Sequence, residues 1–171
     1  MLGRSKSAPM ANIPKIRTVT MGWVRCDAGI QTRGLWSYPW IQSDAGRSQS
    51  KRPKQKNDCT VRGLAIARDI TYDCAYDILK SRERQCAKGF HIGQWLGKQP
   101  WAQKISFPAV KGVRRMNIAE FCGQYSTGRY ICRVAKHVFA VVNGVVYDTD
   151  INRCDRCVYL AWKVEVSKNP F

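Results

Sequence analysis

At 171 residues, with 44% apolar and 24% charged side chains, the chain has room for one compact domain and an extension, and its composition excludes a disordered or fibrous protein. No apolar run approaches the roughly 18 residues of a membrane span, so no membrane partner is expected. The formal charge of +17 points to polyanions, and it is uneven: residues 1–57 carry eleven Lys/Arg against two Asp/Glu, and residues 58–171 carry eighteen against ten.

Residues 1–20 read as a flexible basic tail with no apolar signal core. The eight cysteines are therefore expected in a reducing, intracellular compartment, with Cys26, Cys74, Cys86, Cys122 and Cys132 packed as small hydrophobes. Residues 21–41 mix Trp23, Trp36, Tyr38 and Trp40 with Arg25 and Arg33, which suits a strand-rich segment or hairpin. Residues 42–56 are a polar, basic linker or loop. The expected division is a basic, partly flexible extension over 1–56 and a body over 57–171.

The body opens with two helical patterns. Residues 59–68 place Val61, Leu64, Ala65 and Ile66 at apolar positions, and Asp69-Ile70-Thr71 interrupts the run. Thr71 can cap a second helix through about Arg84, with Cys74, Ala75, Ile78 and Leu79 on one face. Residues 87–112 read mainly as loop. Asn117 followed by Glu120 is a capping-box start for a short helix to about Tyr125. From Arg129 the period changes: 129–135, 137–150 and 157–166 are rich in β-branched and aromatic residues, and Asn143-Gly144 is a preferred two-residue hairpin turn. Helices first and an antiparallel sheet after them define an α+β architecture.

The hairpin turn fixes a register. With Val142 opposite Val145, His137 falls opposite Asp150 and Phe139 opposite Asp148, so His137, Asp148 and Asp150 share a face, with Asp148 diagonal at roughly 7–8 Å. Either carboxylate can orient the imidazole. Cys59 stands at a helix start, where free amides and the helix dipole favour a thiolate. A thiolate, an imidazolium and an orienting acid form the working unit of nucleophilic cysteine catalysis. The nearest amides for an oxyanion, beside the Cys59 N–H, are Asn57 and Gln55.

This order of nucleophile helix, histidine strand and acid strand resembles the papain-like cysteine peptidase superfamily. More narrowly, "NDCTVRGLAIA", "GRYICRVAKHVFAVVNGVVYDT" and the helix from Asn117 to Tyr125 are similar to small proteins common in tailed-phage genomes, over roughly residues 57–150. The first stretch also resembles the nucleophile helix of ovarian-tumour-type deubiquitinases in its Cys-x-x-Arg order; the spacing of the preceding Asp differs. The resemblance implies a papain-like fold, N-terminal helices packed on a C-terminal antiparallel sheet, and a thiol hydrolase acting on a protein or peptide. It implies Cys59 as nucleophile, His137 as base, Asp148 rather than Asp150 as the orienting acid, and Asn57 as an oxyanion donor. It also implies a viral origin, with the host cytoplasm or the virion as location. The superfamily's usual glutamine six residues before the nucleophile is replaced by Pro53.

Two other features compete. Cys154-Asp-Arg-Cys157 has the spacing of half a zinc site or a redox pair. Only Cys26, Cys86 and His91 offer loose further ligands, and a tight turn with two ordinary thiols explains the run, so no metal or cofactor is expected. His91 has no acid nearby in sequence and reads as structural or surface. The basic, aromatic residues of 15–56 support the rival function, a nucleic-acid-binding accessory protein on an inactive papain-like fold, because clustered cations neutralise phosphates and aromatic rings stack on bases.

Overall fold

The computed structural model describes residues 21–26, 36–150, 152 and 155–166. The expected flexible tail over 1–20, and Cys154 of the Cys154–Cys157 pair, lie outside them.

The chain is mixed α+β. Its elements are β1 (Met21–Cys26), β2 (Trp36–Gln42), α1 (Cys59–Arg68), α2 (Tyr72–Lys80), α3 (Ile92–Leu96), β3 (Ala102–Ser106), α4 (Ile118–Gln124), β4 (Arg129–Val134), β5 (His137–Val142), β6 (Val145–Asp148) and β7 (Leu160–Val164). The strands form one 7-stranded sheet in the order β1-β2-β6-β5-β4-β7-β3. Every neighbouring pair is antiparallel except β2 and β6, which run parallel.

Alternation along the strands gives the sheet two apolar faces. Ile131, Val138, Ala140, Trp162 and Val164 join Val61, Leu64 and Ala65 of α1 and Ala75 and Leu79 of α2 in one cluster. Cys132, Phe139, Val141, Val146 and Ala161 join Ile118 and Phe121 of α4, with Tyr38 and Trp40 of β2, in the other. Val61 and Leu64 are almost fully buried, and each contributes about 1.5–3 kcal/mol by leaving water. Gly63 lets α1 lie close on the sheet: a Cβ there would stand 3.3 Å from Val138 Cγ1.

Local chemistry accounts for the boundaries. Asp69 ends α1 in the left-handed region (φ 59°), and its N–H returns to the Ala65 and Ile66 carbonyls. Thr71 caps α2 by accepting from the Cys74 N–H at 3.2 Å. Asn117 and Glu120 close the full capping box of α4. Asn143 and Gly144 both have positive φ, 50° and 75°, as the expected hairpin turn requires.

The structure differs from the sequence reading in three places. Residues 87–112 contain α3 and β3, and β3 pairs with β7 at the edge of the sheet. The sheet is neither wholly antiparallel nor wholly C-terminal, since β1 and β2 precede the helices. Residues 36–42 thus belong to the main sheet although they lie upstream of the expected boundary at 56/57: Trp40 pairs with Val146 and Gln42 with Asp148.

Candidate active site

Cys59 is the first residue of α1, behind Asp58 at the N-cap. The Asp58 main-chain carbonyl accepts from the amides of Val61 and Arg62, at 2.9 and 3.0 Å. Its carboxylate makes no capping bond. Instead it accepts from the Tyr72 hydroxyl at 2.8 Å and lies 3.4 Å from Arg47 and 3.7 Å from Arg62 Nε. The helix thus begins on a buried ionic knot, and with the cap side chain turned away the amides of Cys59 and Thr60 receive no side-chain cap.

His137 opens β5 with its imidazole mostly buried, and Nε2 contacts Asp148 Oδ2 closely. With Nε2 bound there, Nδ1 is the ring nitrogen left for the thiol. Burial pushes the Cys59 thiol up. Hydrogen bonding and charge from His137, a main-chain bond from Val138, and the charge of Arg62 outweigh it, so its pKa falls below the ordinary thiol value. Burial pulls His137 down, but hydrogen bonds and charge from Asp148 and Cys59 raise it to about 9. Both shifts are in the direction that favours the charged forms, a thiolate beside an imidazolium.

The other thiols differ. Burial pushes Cys122 up to about 12 and Cys132 well above its ordinary value. Burial, then the charge of Asp77, raises Cys74. Among the described cysteines with a resolved shift, Cys59 alone moves down. The expectation of packed thiols fits Cys122 and Cys132; Cys86, by contrast, is exposed because it sits in a surface turn.

Asp148 is 3% exposed and heavily bonded. Besides His137 it accepts from the Thr149 N–H and from Asn152 Nδ2, both at 2.8 Å, and Arg62 Nη2 lies 3.5 Å away. Asn152 is held in turn: its carbonyl accepts from the Tyr38 hydroxyl, and its Oδ1 accepts from Arg156 at 3.0 Å. Arg62 also donates to Thr149 Oγ1 at 2.8 Å. Asp150, the alternative acid, is exposed and accepts from Thr149 Oγ1 at 3.0 Å. Simple counting places it opposite His137, but β6 ends at Asp148 and the chain bends away, so the diagonal carboxylate meets the ring.

The expected amides are engaged elsewhere. Asn57 donates to the Ala87 carbonyl at 2.7 Å, and Gln55 accepts from Arg84 at 3.3 Å. The Cys59 N–H is the remaining oxyanion donor from the sequence reading. His91 is exposed at the N-cap of α3.

Sequence reasoning brought together Cys59, His137 and Asp148 but missed Arg62, Asn152 and Tyr38. Arg62 had a signal in its Cys-x-x-Arg spacing. Asn152 and Tyr38 had none, because their roles arise from a loop after β6 and from a strand more than 100 residues earlier.

An open groove of about 2530 Å³ runs past the site, lined by residues that include Cys59, His137, Arg133, Lys136 and Tyr147. Among the described residues no group of three or more His, Cys, Asp or Glu is placed to hold a metal ion, and no helix is long and apolar enough to cross a membrane. No protein-family model matches the chain, and neither does any curated protein or solved structure.

Proposed function

We propose that the protein is a thiol hydrolase of the cysteine-peptidase type, with Cys59 as nucleophile, His137 as acid and base, and Asp148 as the orienting carboxylate. The observation that carries this reading is geometric: Cys59 at a helix N-terminus lines one groove with His137, whose Nε2 is held by buried Asp148.

In the first step the thiolate attacks an acyl carbon, forming the C–S bond while the carbonyl π pair moves onto oxygen. The Cys59 N–H stabilises that oxyanion. The intermediate collapses, the bond to the leaving amine breaks, and the His137 imidazolium donates the proton that the amine takes away. Neutral His137 then removes a proton from water, hydroxide attacks the thioester, and collapse releases the acid and restores the thiolate–imidazolium pair. Asp148 holds Nε2 so that Nδ1 faces the thiol. The papain-like relationship and the peptide substrate belong to this proposal. The rival reading, a nucleic-acid-binding accessory protein, draws on net charge, and charge does not call for a thiol against an imidazole.

The test is alkylation by iodoacetamide at pH 6, read by peptide mass spectrometry. Cys59 is expected to react before every other cysteine, including exposed Cys86. His137→Ala is expected to remove the preference without loss of secondary structure. A Cys59 rate no higher than that of Cys86 would overturn the reading.

A further inference from the structure

The charges around the groove are nearly all matched. Asp58 lies against Arg47 and Arg62, and Asp69 lies 3.3 Å from Arg129. Asp73 binds Arg52. Asp44 accepts from the amides of Gly46 and Ser48, both at 2.9 Å. Removing these leaves three exposed charges on the groove lining, Arg133, Lys136 and Asp150. None of the three makes a salt bridge among the described residues.

Their positions follow from the register. Arg133 lies directly across from Val138, which follows His137 on β5, so it stands one strand away from the histidine. Lys136 sits in the two-residue turn between β4 and β5, immediately before His137, with a positive φ of 57°. Both cations are on the β4 side of β5. Asp150 follows β6, on the other side. The strand order β6-β5-β4 therefore sets an unmatched negative charge and two unmatched positive charges on opposite flanks of His137.

We propose that Arg133 and Lys136 form a specificity subsite for a carboxylate side chain, so that the acyl substrate is a peptide segment carrying Asp or Glu on the β4 side of the scissile bond. This rests on the thiol-hydrolase reading. The cations are exposed, so the subsite works by attraction through solvent and its effect falls as salt is added. Asp150 disfavours an acidic residue on the opposite flank, which gives the segment a direction as well as a charge.

Two reagents of similar size and opposite electrostatic behaviour test the subsite: anionic iodoacetate and neutral iodoacetamide. For Cys59 of the full chain, the ratio of iodoacetate to iodoacetamide rates is expected to fall about tenfold at low ionic strength in Arg133→Glu/Lys136→Glu, and by less in Arg133→Gln/Lys136→Gln. Lys163→Glu changes an exposed cation of β7 outside the groove and is expected to leave the ratio alone. Fluorogenic peptide libraries give the second readout: turnover enriched in Asp or Glu on one side of the cleaved bond, with the enrichment lost in the double variants and kept in Lys163→Glu. If iodoacetamide alkylates Cys59 no faster than Cys86, the hydrolase reading fails and the subsite with it. If Cys59 reacts selectively but the ratio is unchanged by the double variants, the subsite alone fails. The alkylation ratio decides where no library peptide is cleaved.

Discussion

Two helix N-termini in this molecule are built in opposite ways. At α4 the Asn117 side chain accepts from the Glu120 amide at 2.8 Å and the Glu120 carboxylate accepts from the Asn117 amide at 2.9 Å, so the helix closes on itself. At α1 the N-cap residue is also one that favours caps, but the Asp58 carboxylate turns away to Tyr72, Arg47 and Arg62. The first end is finished for stability. The second gives the amides of Cys59 and Thr60 no side-chain cap and puts a thiol beside them. The glycines repeat the contrast: a Cβ on Gly63 of α1 meets Val138 at 3.3 Å, whereas one on Gly123 of α4 meets nothing within 4 Å. An element that positions chemistry is seated tightly from outside itself, and an element that only covers the core is stabilised from within.

Substitutions can break this contrast. Asp58→Ala is expected to have the largest effect, a loss of about 3 kcal/mol in urea unfolding, because it leaves buried Arg62 with half of its carboxylate partners. It is also expected to slow Cys59 alkylation. Asn117→Ala is expected to cost about 1 kcal/mol, the usual value of a cap, and to leave Cys59 alkylation unchanged. Equal losses from the two caps would erase the distinction. The smallest effects come from the glycines. Gly123→Ala is expected to stabilise by up to about 1 kcal/mol by restricting the unfolded chain. Gly63→Ala is expected to gain less than Gly123→Ala, or to destabilise, with a slower Cys59 reaction as the helix is pushed off β5. Thermal melts with parallel alkylation rates check both.

A pH profile sharpens the site end of the comparison. The folded pKa of His137, about 9, lies above its ordinary 6.5. Its contribution to stability is therefore complete below pH 6.5 and is lost as pH rises through about 9. Hydrolysis is expected to decline over the same alkaline limb, as the imidazolium that protonates the leaving amine disappears. In Asp148→Asn the limb moves to lower pH. A limb that stays in place would remove Asp148 from its orienting role.

Much of the site was legible because its signals are local. A cysteine behind a capping residue marks Cys59, and an Asn-Gly turn with the period of a strand on either side puts His137 on one face with Asp148 and Asp150. Nothing local joins Cys59 to that face; the resemblance did so. Counting registers favoured Asp150 and the resemblance favoured Asp148, because the outcome depends on where β6 stops. Residues 102–106 did not read as a strand because an edge strand with exposed Gln103 and Lys104 carries little alternation. α3 has five residues with a glycine at the second, too short for a periodic signal. The parallel pairing of β2 with β6 left no trace at all, since nothing near Trp40 in the chain specifies Val146 as its partner.

That pairing has a consequence in time. β6 carries Asp148 between β5, which reaches it through a two-residue turn, and β2, which reaches it only after more than 100 intervening residues have been placed. The Tyr38 hydroxyl meets the Asn152 carbonyl across a separation of 114 residues, and the Ser43 amide meets the Asp148 carbonyl at 2.9 Å. Contacts of such high order form late, because loop closure must come first. A chain still being synthesised exposes Cys59 before His137, Asp148 or Asn152 exists. The surroundings that shift the Cys59 and His137 pKa values therefore assemble only when β5 and β6 have joined the sheet.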